Sequence, residues 1–116
     1  MLVLVVDDDA RIRRATSSAL VGAGHDVIEA SNGAEALATF RANPAIALII
    51  TDVLMPVMNG VAFADAVRVD YPSQPILFMS GDLGDVPRAA LGCAPLIAKP
   101  ITIATLEASI AALGVS

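Results

Sequence analysis

A single cysteine, Cys93, leaves no partner for an internal disulfide and no thiolate cluster for a metal. Near a helix end it reads as a small core filler. Long apolar runs are missing too: hydrophobic residues make up 56% of the chain, yet unbroken runs reach only about six residues, far short of the ~20 that a membrane-spanning helix needs. That pattern excludes membrane insertion and implies a soluble globular domain with a large core. Basic charge is scarce. Seven Lys and Arg against twelve Asp and Glu give a net charge of −5, the wrong sign for holding a nucleic-acid backbone. Arg11, Arg13 and Arg14 form a small basic group at helix spacing beside three aspartates, which reads as a solvated face or a protein-docking edge. No basic leader precedes the first apolar run, so no secretion signal is read and a cytoplasmic location is expected. Repeats, low-complexity tracts and linkers are absent, and 116 residues suit one domain, residues 1–116.

What is present is a regular alternation. Short apolar segments at Leu2–Val6, Val27–Ala30, Ile46–Thr51, Pro75–Met79 and Leu96–Ala98 read as strands, and helical patterns lie between them. Ile103, Leu106, Ile110 and Leu113 form one stripe at steps of three and four; Ile12, Thr16, Ala19 and Leu20 trace another, and Leu37 with Phe40 a third. Gly22 and Gly24 suit the close of the first helix, Asn32 with Glu35 resembles a capping pair, Pro72 and Pro75 fence the fourth strand, and Thr102 suits the cap of the last helix. Strands this uniformly apolar are expected to be covered on both faces, which predicts a doubly wound parallel α/β sheet of five strands with right-handed crossovers.

In such sheets ligands gather at the carboxyl ends of the strands. Those ends carry Asp7, Asp8 and Asp9 after the first strand, Asp52 at the end of the third, Ser80 after the fourth and Lys99 after the fifth. Clustered carboxylates repel one another unless a cation joins them. Oxygen ligands and few carboxylates suit Mg2+, which keeps water in its remaining positions. Lys99 adds a positive charge, and the Ser80 hydroxyl can donate to a phosphoryl oxygen. Asp52, expected to stand exposed at the tip of a rigid strand, is thereby placed as an aspartyl nucleophile for phosphoryl transfer. Met55-Pro56 and Asn59-Gly60 would turn the chain away from it, with Gly60 supplying backbone angles that other residues resist. Asp9 also suits the positive end of the first helix. His25 reads as an exposed loop residue away from the rim, and Met55, Met58 and Met79 as packing.

The strings VLVVDDD, TDVLMPVMNG, FMSG and IAKP, in this order and each at a strand end, resemble the receiver domain of two-component response regulators along the whole chain. The resemblance implies a flavodoxin-like sheet in the order 2-1-3-4-5 with helices on both faces. It further implies that Asp52 accepts a phosphoryl group from a histidine kinase or histidine phosphotransfer protein, with Asp7, Asp8 and the backbone carbonyl of Leu54 joining Asp52 around Mg2+. Ser80 and Lys99 match the family's hydroxyl and lysine. Such a chain is a switch that acts on a downstream protein rather than a turnover enzyme, either alone or as part of a hybrid kinase or larger regulator.

Some positions depart from that pattern. Leu96 and Ile101 stand where the family often has aromatic residues, which alters the usual read-out. The stretch GDLGDVPRAALGCAP limits a helix there to about two turns, roughly residues 85 to 91, so signalling through another face, or a mobile segment, is expected. Leu54 and Asp82 are placed to screen or orient water near the phosphoryl group, and Gly81 leaves the approach open. Two other readings exist: a receiver-like module that is never phosphorylated, and a Mg2+-dependent phosphohydrolase. The haloacid dehalogenase type of phosphohydrolase wants a second acid two residues after the nucleophile, where this chain has Leu54, and it needs a cap segment that is not seen here.

Overall fold

The computed structural model describes residues 1–81, 88–92, 94–99 and 102–113. Five strands, β1 (Leu2–Val6), β2 (Asp26–Ala30), β3 (Leu48–Asp52), β4 (Ile76–Ser80) and β5 (Leu96–Ala98), alternate with helices α1 (Ala10–Gly22), α2 (Gly33–Ala42), α3 (Gly60–Asp70) and α4 (Ile103–Ala112). All neighbouring strands run parallel, in the order β2-β1-β3-β4-β5.

The apolar strands sort their side chains by alternation, because successive residues point to opposite faces. Leu4, Val6, Ile49, Ile76 and Phe78 meet Ala36 and Phe40 of α2 and Phe63, Ala64 and Val67 of α3. Val3, Val5, Leu48, Ile50, Leu77 and Met79 meet Leu20 of α1 and Leu106 and Ile110 of α4. Both faces of the sheet are therefore covered, which is why β1, β3 and β4 carry almost no polar residue before their last positions, whereas the edge strand β2 keeps Asp26 and Glu29 exposed. Phe40 and Tyr71 close the α2–α3 side with an edge-to-face contact, ring centres 5.3 Å apart.

The helix starts follow the side-chain chemistry of the caps. Asp9, Asn32, Asn59 and Thr102 each accept from backbone N–H groups of the first helical turn. Asn32 accepts from Glu35, whose carboxylate in turn takes the Ser31 hydroxyl. Asn59 opens α3, a role that its reading as a mere turn residue misses. Gly24, at φ +95°, provides the left-handed turn after α1, whereas Gly22 is simply the last helical residue.

Several boundaries differ from expectation. Ile46 is buried at 4% exposure but lies before β3, in a turn where its N–H bonds Asn43; an apolar residue packed from a loop looks like strand in a sequence. Pro75 precedes β4, its carbonyl accepting from Ile49, and Ser80 is the strand's last residue. Ile103 is 40% exposed, so the apolar stripe of α4 begins a turn later, at Leu106. The expected helix over 85–91 is, among the described residues, one 3-10 turn at Arg88–Leu91. Asp82, Cys93 and Ile101 lie outside the described residues. Leu96 is half-buried and packs against the α2–α3 side of the core. No helix among the described residues is long and apolar enough to cross a membrane.

Candidate functional site

Strand ends gather the acids and the amine. Asp7 lies one residue beyond β1; its N–H reaches back to the Ala30 carbonyl at 3.2 Å, and it is wholly buried. Asp52 is the last residue of β3, with β4 beside it. Lys99 follows β5, and its N–H donates to the Ser80 carbonyl at 3.0 Å, so the tips of β4 and β5 are tied together. From there the Lys99 ammonium spans both buried acids: Nζ is 2.8 Å from Asp7 Oδ2 and 2.9 Å from Asp52 Oδ2. Asp8 is exposed, yet Asp7, Asp8 and Asp52 each bring a carboxylate oxygen within 4.8 Å of the others. Three carboxylates converging in this way, with oxygen as the sole donor type, fit a hard divalent cation.

Asp52 is not exposed as expected. It is 7% exposed, because the lysine side chain lies over it and the following loop folds back. Its Oδ1 accepts the N–H of Val53 at 2.8 Å. Gly60 N–H then donates to the Val53 carbonyl at 2.8 Å, which brings the first residue of α3 against the backbone of Asp52. A Cβ at position 60 would run into the Asp52 carbonyl oxygen. Gly60 is thus required for close approach and not for a left-handed backbone, which it does not adopt. Within the loop, Met58 N–H donates to Pro56 O at 2.8 Å across Val57, whose φ of 69° is unusual for a β-branched residue. The far side of the loop is held by Gly33 N–H on Met58 O at 3.1 Å.

Burial pushes the Asp52 carboxyl above its usual range, the nearby Asp7 charge adds to this, and Lys99 and the Val53 N–H oppose it. Burial would lower the Lys99 ammonium, but its bonds to Asp7 and Asp52 outweigh that and hold it above its usual value. The asymmetry has a simple cause: the lysine has two carboxylate partners, whereas Asp52 shares its one cation with a like charge. Asp9 is lowered chiefly by the N–H of Ile12; desolvation opposes this, and the N–H and charge of Arg11 add to the lowering.

The other sequence-based candidates fall as follows. Ser80 is buried at the tip of β4. Leu54, two residues past Asp52, is 41% exposed. A Cβ at Gly81 would meet nothing within 4 Å. His25 precedes β2, at the opposite ends of the strands, 3.3 Å from the Met1 amino group. Met79 is core on the α1–α4 face, and Met55 and Met58 pack against the core of the α2–α3 face. Arg13 escapes a reading based on charge alone. Its guanidinium bonds the Asp7 carbonyl and Glu29, both at 2.9 Å.

Residues 3–111 match the response regulator receiver domain family. The chain belongs to that family. A receiver is a module of two-component signalling, and relatives of different build share this one. The chain is 36% identical over 111 residues to a probable transcriptional regulator, ycf27, of Pyropia yezoensis; the match covers 93% of the chain and 45% of that relative, so the receiver spans less than half of the larger protein. A chemotaxis protein CheY homolog of Campylobacter jejuni is 34% identical over 113 residues, with 92% of this receiver and 87% of that protein covered. Among solved structures, the response regulator protein TrrA of Thermotoga maritima, in complex with Mg(2+)-BeF, is 26% identical with a TM-score of 0.87 over 97% of both chains.

Proposed function

We propose that residues 1–116 act as one phosphoacceptor receiver in a cytoplasmic phosphorelay. Asp52 takes a phosphoryl group from a phosphohistidine of a histidine kinase or phosphotransfer protein, and the modified domain changes its contacts with a downstream protein. The observation that carries this reading is the contact of one ammonium with two buried carboxylates from separate strand ends, beside a third acid within 4.8 Å. A fully structural ion pair needs no third acid at that point. The Mg(2+)-BeF complex of the Thermotoga maritima relative supports the same reading.

Asp7, Asp8, Asp52 and the Leu54 carbonyl would hold Mg2+, which when bound neutralises phosphoryl oxygens during transfer. The rest falls to the chain itself. Val53 N–H and Lys99 Nζ fix the two oxygens of Asp52, so the carboxylate is oriented before the donor arrives. In the transfer an Asp52 oxygen bonds phosphorus as the phosphorus–nitrogen bond of the donor imidazole breaks. Lys99, tethered to Ser80 through the backbone, follows the new charge, and the Ser80 hydroxyl donates to a phosphoryl oxygen. The added charge, roughly −1.5 to −2 near neutral pH, biases the β4–β5 end of the domain between two arrangements. Leu54 shields the acyl phosphate from water, and a polar residue there changes its lifetime. The chain is a switch and not a turnover enzyme.

Incubation with acetyl phosphate and Mg2+, followed by intact-mass measurement, tests the assignment. One added phosphoryl group that disappears in Asp52→Asn is expected. No adduct on the wild-type chain would instead mark a module that is never phosphorylated, and steady release of phosphate from general esters would mark a phosphohydrolase.

A further inference from the structure

We infer that Arg13 is a positioning residue for the cation site: it holds the backbone of Asp7 so that the Asp7 carboxylate faces Asp8 and Asp52. This rests on the reading above that these acids bind a divalent cation.

The reason begins at the end of β1. The β1–β2 ladder stops at Val6 opposite Ala30, and Asp7 is the first residue beyond it. Its N–H is still satisfied by the Ala30 carbonyl, but its own carbonyl has passed the last rung. Asp7 is wholly buried, so that carbonyl needs a donor from the protein. Arg13 supplies it. Side chains on a helix lean toward its amino end, and Arg13, in the first turn of α1, reaches back to place Nη1 2.9 Å from Asp7 O. Nε of the same guanidinium donates to Glu29 on β2, also at 2.9 Å, and fixes the direction of the fork. The Arg13 carbonyl accepts from the Ser17 hydroxyl at 2.8 Å, a contact on the helix side of the same residue.

Every polar group of Asp7 is then engaged. Its N–H goes to Ala30, its carbonyl to Arg13, Oδ1 takes the Asp9 N–H at 2.9 Å and Oδ2 takes Lys99. Of these four, the Lys99 contact is the one that a phosphoryl group or a cation would reorganise. With the carboxylate released from the lysine, the peptide of Asp7 keeps its direction because Arg13 and Ala30 hold it on either side. A ligand presented from a fixed peptide loses less freedom when it binds a metal.

A guanidinium near a cation site also has an opposing effect, since like charges repel. Here the Glu29 carboxylate lies 2.9 Å from Nε of the same guanidinium and offsets its charge, so little net charge acts on the site. Orientation is therefore the larger effect. The pair itself, at the surface, is not a strong source of stability.

The test is the dissociation constant for Mg2+, by calorimetry, and for Mn2+, by electron paramagnetic resonance, at about 0.15 M salt. Arg13→Met is expected to weaken binding roughly tenfold and Arg13→Lys, which keeps a donor but not the fork, about threefold, while Glu29→Gln stays within about twofold. Asn43→Ala, which removes a bond to the Thr39 carbonyl far from the site, lowers stability without moving the constant. An unchanged or tightened constant in Arg13→Met overturns the inference, as does a loss in Glu29→Gln equal to that in Arg13→Met, which would place the effect on the ion pair and not on the bond from Arg13 to the Asp7 carbonyl. If Arg13→Met does not fold, Arg13→Lys decides, and wild-type affinity in it is fatal. A wild-type chain that binds neither ion sinks this inference and the cation site together; binding by the wild type with no response at Arg13 sinks this inference alone.

Discussion

Replacing Lys99 with methionine keeps most of the side-chain volume and removes the one charge that Asp7 and Asp52 share. The pair left behind has Asp7 at 0% exposure and Asp52 at 7%, with Asp8 close by. Removing one partner of a buried ion pair costs roughly 3–5 kcal/mol. Lys99 is itself 15% exposed in its side chain, so water already reaches the pair and the lower part of that range applies. A ceiling comes from protonation: an acid of ordinary pKa near 3.9 can be neutralised at about pH 7 for about 4 kcal/mol, at 1.36 kcal/mol per unit. The expected loss is therefore about 3 kcal/mol at about pH 7, and the ceiling falls to about 1.5 kcal/mol at about pH 5. With a urea slope of roughly 1–3 kcal/mol/M for a small domain, the midpoint drops by about 1–3 M. Urea unfolding followed by far-UV circular dichroism, with a chelator present, gives the number. Excess Mg2+ should then narrow the gap, because a divalent cation replaces the missing ammonium and stabilises by mass action. A midpoint unchanged near neutral pH, or a deficit that widens as pH falls, would show that the ammonium does not hold these acids in place.

Three further outcomes follow from the same geometry. Asp52→Asn should raise the urea midpoint of the cation-free protein, by a gain of order 1 kcal/mol. Burial lifts the folded-state pKa of Asp52, so its contribution to stability is present in acid and is lost as pH rises through that raised value; the advantage of the asparagine variant should thus grow with pH, and a gain confined to acid would contradict it. Gly60→Ala should cost about 1–3 kcal/mol in urea unfolding, because the added methyl meets the Asp52 carbonyl and the backbone must shift. Val57→Gly should gain about 1 kcal/mol by relieving the positive φ of an 84% exposed β-branched residue, with no packing lost, and a lowered midpoint would count against strain at this turn.

The sheet was legible because its strands are short, apolar and closed by residues of another kind; Val6-Asp7, Thr51-Asp52 and Ala98-Lys99 announce where each strand stops. Those same junctions made the rim legible, since parallel strands bring their carboxyl ends to one side. Ile46 misled as part of a strand because burial, not pairing, is what an apolar residue reports. The covered state of Asp52 could not be read locally: it depends on a lysine 47 positions away folding across the carboxylate. Arg13 was visible as charge, but its reach to the Asp7 carbonyl is set by where the β1–β2 ladder ends. Gly60 pointed correctly to an unusual requirement and wrongly to backbone angle, since a missing Cβ serves either purpose and sequence does not distinguish them.

The contact between Gly60 and the Asp52 carbonyl gives the domain a stiff side and a compliant one. With no spacer between them, the tip of β3 and the start of α3 travel as a single lever, and Asp7 is braced from both flanks. Slack is left at β5, a three-residue edge strand whose link to the rim runs through one backbone hydrogen bond, from Lys99 N–H to the Ser80 carbonyl, and one long side chain. Amide exchange after modification of Asp52 should therefore change first along β5, while the β3–α3 junction keeps its protection.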